Sequence, residues 1–155
     1  MKRLVATRKR SQTWGSGSAL VEFALGSTLL LTGFTATFQF GYIFYRYNAL
    51  ENAVNTGARW ASMASYDSPS TSPSAAFQVT LKNMVLYGSP TAGASPVVPG
   101  LTSDNVVLTV TFENDVPAYV QVHIVNYTIS AIFGNMNCSN KPVVRYAYQG
   151  LWVPI

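Results

Sequence analysis

From Ser18 to Tyr45 the chain is apolar apart from one charge, Glu22: SALVEFALGSTLLLTGFTATFQFGYIFY. As a helix at ~1.5 Å per residue the run is about 42 Å long, against about 30 Å of hydrocarbon in a bilayer. This pattern predicts a helix that spans a membrane with tilt or projects past it. Threonines within it are tolerated, because they bond back to their own helix, and Gly26 and Gly33 let neighbouring helices approach. Phe34, Phe38, Phe40, Tyr42, Phe44 and Tyr45 crowd the second half, as an interfacial aromatic belt does, and Arg46 ends the run. The alanine-rich segment 47–64 is expected to continue the helix. Ala49, Ala53, Thr56, Trp60 and Met63 recur at i, i+4, i+7, i+11 and i+14, and Leu50, Val54, Gly57 and Ala61 widen that stripe.

Further along, Asp67 to Ser74 is a Ser- and Pro-rich break. Phe77, Leu81, Met84 and Val85 then repeat at helical spacing, which predicts a helix over Ala75 to Tyr87. Gly88 to Gly100 reads as a loop. There the period changes to two. Val106, Leu108, Val110 and Phe112 alternate with polar or outward positions, and Glu113-Asn114-Asp115 marks a turn. Pro117 suits a strand start, and Tyr119 to Tyr127 alternates again with Val120, Val122 and Ile124 on one face, completing an antiparallel hairpin. Thr128 to Phe133 is open between a short helix and a strand extension. Gly134 to Pro142 reads as a loop carrying Cys138, and Val143 to Trp152 as the last strand. The predicted architecture is α+β: a basic leader over 1–17, a membrane and extended helix over 18–64, and a small antiparallel sheet domain over 65–155.

Charge sharpens the orientation. Lys2, Arg3, Arg8, Lys9 and Arg10 hold half of the ten basic residues; the body carries the other five against six acidic residues, a net of −1. The basic character therefore belongs to the leader, and no nucleic-acid face is indicated. By the positive-inside rule the leader stays in the cytoplasm. A cleaved secretory peptide has an apolar region of about 7–15 residues, shorter than this run. A plain signal anchor fits the length, but a carboxylate inside the apolar run is costly, at about 2.5–3.5 kcal/mol on insertion scales. Glu22 is thus a candidate functional residue.

Other chemistry is sparse. Cys138 is the one cysteine, which excludes an internal disulfide. It reads as a buried apolar filler, with an intermolecular bridge or a reactive thiol as the alternatives. His123, the one histidine, sits mid-strand opposite the Val120/Val122/Ile124 face and reads as a solvated or edge side chain. Metal sites and catalytic triads need partners at suitable spacing, and none accompanies it. Asp67, Asp104 and Asp115 fall in loops and turns, where they serve local backbone bonds, with calcium the weaker alternative. Asn126-Tyr127-Thr128 and Asn137-Cys138-Ser139 match the glycosylation sequon, a pattern frequent by chance. No catalytic constellation or cofactor motif is present, so an enzyme is not expected.

The residues Gly17-Ser18-Ala19-Leu20-Val21-Glu22-Phe23, between a basic leader and a membrane-length run, resemble a class III prepilin signal. Together with Ala53, Gly57, Ala58 and Arg59, in the order A-x-x-x-G-A-R, they look like the TadE/TadF-like minor pseudopilins of the tight-adherence pilus system. The resemblance covers roughly residues 10 to 64. It implies cleavage by a membrane prepilin peptidase after Gly17, leaving Ser18 as the new N-terminus and Glu22 as the fifth residue. Phe23 then stands where the subclass favours an aromatic, usually tyrosine. A cut after Gly15 would make Glu22 the seventh residue. The chain departs from the family in having Gly26-Ser27 where a proline is usual.

The resemblance further implies a single-pass inner-membrane protein with its C-terminal domain outside the cytoplasm, and partners among other pilins. Ser18 and Glu22, at i and i+4, share a helix face, so a freed Ser18 amine is placed to pair with Glu22 of its own or a neighbouring chain. The alternatives are a plain signal-anchored protein with no pilus role, an exported binding or enzymatic domain, and a secreted substrate of the pilus machinery.

Overall fold

The computed structural model describes residues 15–153. The basic residues of the leader lie outside the described residues. Packing divides the chain into two units, one through Phe38 and one from Gln39 onward. One helix, α1 (Gly15–Met63), contributes to both, as the apolar run and its alanine-rich continuation predict.

From Gly15 through Phe38 the described chain is helix alone. Leu20, Leu25, Leu29, Leu30, Leu31 and Phe34 are all exposed. The hydroxyls among them are turned inward to the backbone: Thr28 Oγ1 donates to Ala24 O at 2.8 Å, Thr32 to Thr28 O at 2.8 Å and Thr37 to Gly33 O at 3.0 Å. Each satisfied hydroxyl removes a polar group that hydrocarbon would penalise. The helix is long and apolar enough to cross a membrane.

From Gln39 onward a core forms between α1, a second helix and two small sheets. α2 occupies Ala75–Tyr87, the predicted range. Ser74 caps it, its Oγ accepting the Phe77 N–H at 3.2 Å, and Gly88 ends it at φ 68°, its N–H donating to Met84 O. A left-handed residue just past the last turn is the common helix stop, and glycine takes that conformation without a Cβ clash. Asp67 braces the cap: its carboxylate accepts both the N–H and the hydroxyl of Ser74. Phe77, Leu81, Val85 and Leu86 face inward.

On α1 the inward face differs from the expected one. Leu50, Ala53, Val54, Ala58 and Ala61 are buried, whereas Thr56 and Met63 are exposed and Ala49 and Trp60 flank the core. The stripe is therefore rotated towards Leu50/Val54/Ala61, because the larger aliphatic side chains gain most from leaving water.

After a 3-10 turn at Ser103–Asn105, β1 (Val106–Glu113) and β2 (Val116–Ile124) form the predicted hairpin. Its two-residue turn has Asn114 at φ 52° and Asp115 at φ 60°, the left-handed pair that matches strand twist. A bulge between Thr111 and Phe112 adjusts the register ahead of Pro117. The second strand stops at Ile124 rather than Tyr127, since Asn126 turns left-handed at φ 52°. Tyr127 instead opens β3 (Tyr127–Ala131), so Thr128–Ala131 is strand and Ile132-Phe133 is the turn that follows it. Gly134–Cys138, expected as loop, is β4, paired antiparallel with β3. The last strand, β5 (Val143–Ala147), ends five residues short of Trp152 and pairs with β2, giving the order β1-β2-β5. β3 and β4 make a separate two-stranded sheet.

The end of α1 is tied down by the C-terminal segment. Tyr66 N–H donates to Leu151 O and Val153 N–H to Tyr66 O, both at 2.9 Å. Tyr66 is fully buried among Phe77, Phe112 and Tyr148, at centroid distances of 5.6, 5.8 and 6.2 Å. Burial, then the Asp67 charge, pushes its phenol up to about 12, so it stays protonated and donates to Ser70 O at 2.7 Å. Tyr148 Oη accepts the Tyr66 N–H at 2.9 Å and has Ala64 O and Leu151 O within 2.9 Å as acceptors. Tyr148→Phe removes that donor from the Ala64 and Leu151 carbonyls and is expected to lower unfolding stability by about 1–3 kcal/mol. Denaturant titration of the protein in detergent micelles checks this, and an unchanged midpoint refutes it.

Candidate functional site

Gly17, Ser18, Glu22 and Phe23 all lie on α1 and all are exposed, Phe23 at 74 %. The helix brings Ser18 and Glu22 onto one face, a turn apart. Phe23 is the next position and points about 100° away from Glu22 around the axis. The helix is already formed at Gly15, so Glu22 lies beyond its first turn in the uncut chain. Only a chain beginning at Ser18 puts the carboxylate near the positive end of the helix dipole.

The downstream pattern has a packing role. Ala53, Gly57 and Ala58 are buried and Arg59 is exposed. A Cβ at Gly57 would overlap the Val85 side chain and lie 3.5 Å from Val85 N, so α1 and α2 are in contact at that residue.

Two polar residues of α1 do work that spacing did not reveal. Arg46, predicted only to end the apolar run, reaches two elements. Its Nη2 donates to Pro99 O at 2.8 Å and to Tyr127 Oη at 3.1 Å, and the Tyr127 hydroxyl donates to Pro99 O at 2.9 Å. The guanidinium also lies 5.9 Å from the Tyr42 ring centroid. About two helical turns earlier, Gln39 Oε1 accepts the Phe133 N–H at 2.9 Å. These partners are distant in sequence, and the local clue is a lone polar side chain within an apolar run.

The remaining candidates are placed separately. Cys138 is buried opposite Tyr127 and burial pushes its thiol up, in keeping with an apolar filler. His123 corrects the expectation of an edge or solvated side chain: β2 is the central strand, His123 is half-buried between Val107 and Val143, and its Nδ1 has no hydrogen-bond partner. Asp104 lies in the 3-10 turn and Asp115 in the hairpin turn, apart from Asp67. No group of three metal-ligating side chains converges among the described residues.

One apolar helix of membrane-crossing length, leading into a small α+β unit, is the build of a protein anchored in a membrane near its N-terminus. The chain matches the family model of TadE-like proteins over residues 17–59. No curated protein and no solved structure matches it.

Proposed function

We propose that the chain is a minor pseudopilin that assists assembly of a Tad pilus as a structural component, without catalysis and without a cofactor. A prepilin peptidase removes the leader after Gly17. The helix from Ser18 holds the protein in the bacterial inner membrane, N-terminus cytoplasmic, and packs with the helices of other pilins. The unit from Gln39 onward lies outside the cytoplasm.

The observation that carries this reading is Glu22, a carboxylate on an exposed apolar helix five residues after Gly17. An unpaired charge there is costly, and pairing with a freed Ser18 amine removes the cost. The family match beginning at residue 17 supports the same boundary. A plain signal anchor has no use for the carboxylate.

N-terminal mass spectrometry of protein from cells with and without the prepilin peptidase tests the reading. A mature chain starting at Ser18, seen only when the peptidase is present, is expected. Retention of Met1 to Gly17 in both strains overturns it in favour of a plain anchor, and a start near Ala64 or later indicates a secreted domain.

A further inference from the structure

The β3–β4 hairpin turns through Ile132 and Phe133, which are 65 % and 70 % exposed. Nothing in the turn asks for such residues. Two-residue hairpin turns favour Asn, Asp and Gly, as the Asn114-Asp115 turn of this same chain illustrates. Two large apolar side chains at a solvent-facing tip forgo hydrophobic stabilisation entirely. Their neighbours along the hairpin, Ser130 and Asn135, are exposed and polar, in contrast to the tip.

Its position along α1 identifies the surroundings. The tip is fastened to the helix where Gln39 Oε1 accepts the Phe133 N–H, and a Cβ on Gly134 would sit 3.7 Å from Gln39 Nε2. The helix from Ser18 to Phe38 is about 31 Å long at ~1.5 Å per residue, which matches the about 30 Å hydrocarbon core. Counted from Ser18, Gln39 is the first residue beyond a hydrocarbon-length stretch of helix. Phe40 and Phe44, exposed on the same stretch of helix, carry the apolar character on at that level.

We propose that Ile132 and Phe133 insert into the lipid boundary beside α1, giving the membrane-proximal end of the folded unit a second hold on the bilayer. A lipid surface fits better than a protein partner. Two residues at a hairpin tip fall far short of the about 800 Å² per partner that a specific protein interface buries, whereas shallow interfacial insertion needs only an apolar tip about 5–10 Å deep. The hold restrains the folded unit against the membrane until the helix leaves the bilayer. The proposal rests on the membrane-anchored reading of α1.

The test uses the full chain reconstituted in phosphatidylethanolamine–phosphatidylglycerol vesicles carrying a nitroxide-labelled lipid near the headgroup. Phe133→Cys, Phe34→Cys and Thr91→Cys are each labelled with an environment-sensitive fluorophore in a Cys138→Ala background. All three positions are exposed, so the label is not expected to disturb folding, and circular dichroism checks it. Position 133 is expected to be quenched at least about twofold more than position 91, as shallow insertion requires. Quenching at 34 with none at 133 overturns the hairpin proposal and leaves the anchor standing. No quenching at 34 overturns the anchor itself. A label at 133 unquenched alone but shielded from a water-soluble quencher on adding a second pilin would assign the tip to a protein partner instead.

Discussion

Glu22→Ala is expected to leave membrane insertion intact while lowering pilus yield by more than tenfold. The two halves of that result have opposite signs for one physical reason. In the lipid-facing monomer the carboxylate is a burden of about 2.5–3.5 kcal/mol, so its removal favours insertion if anything. In the proposed assembled bundle the carboxylate pairs with a freed Ser18 amine, and removing one member of a buried pair strands the other at a cost of about 3–5 kcal/mol. About 1.4 kcal/mol is a factor of ten in an equilibrium, so even half of that cost gives the expected loss. Glu22→Gln, which keeps size and hydrogen bonding without charge, separates an ion pair from packing and is expected to fail as well. Membrane fractionation and quantification of sheared pili provide the two readouts. Normal pilus yield from Glu22→Ala would falsify the assembly role, whatever happened to processing.

The proposed processing and assembly residues stand out in the sequence because their logic is local. Gly17, Ser18, Glu22 and Phe23 are consecutive or a helical turn apart, and one charge in a long apolar run stands out without knowledge of anything else. α2 was readable for a similar reason: Ser74 and Gly88 mark both ends in the sequence, and the interior repeats at helical period. The β1–β2 hairpin carried alternation on both strands and Asn-Asp at the turn.

What the sequence concealed depends on partners far along the chain. β4 reads Gly-Asn-Met-Asn-Cys, without an apolar alternation, and four of its five residues are exposed. It is a strand because β3 offers it a ladder of backbone partners from Tyr127 to Ala131, a cause outside the segment. The rotation of the α1 stripe has the same origin. Small residues offered two overlapping faces, and the folded core took the one bearing Leu50 and Val54. Arg46 and Gln39 were visible only as polar interruptions, because Pro99, Tyr127 and Phe133 are loop or hairpin residues whose approach no spacing encodes.

Gly57→Leu is expected to destabilise the unit from Gln39 onward by about 1–3 kcal/mol or more through overpacking. Glycine inside a helix costs about 0.8–1 kcal/mol relative to alanine, so its presence at 57 calls for a steric reason. Val85 supplies one. It is fully buried, its Cγ2 occupies the space a Cβ at 57 would take, and its own backbone N is 3.5 Å away. A β-branched side chain in a helix has one strongly preferred rotamer, so Val85 has no easy retreat. The helices must move apart, and Leu50, Val54 and Leu81 would then pack across a widened gap. Gly57→Ala is the milder case, since the propensity gain offsets part of the overlap. If overlap with Val85 is the cause, Val85→Ala relieves it, and the double variant Gly57→Ala/Val85→Ala is less destabilised than the sum of the singles. Denaturant midpoints of the parent, the three single variants and the double variant in micelles decide the matter. Strict additivity, or a Gly57→Leu protein as stable as the parent, would mean that the close approach of α1 and α2 is not what holds glycine at this position.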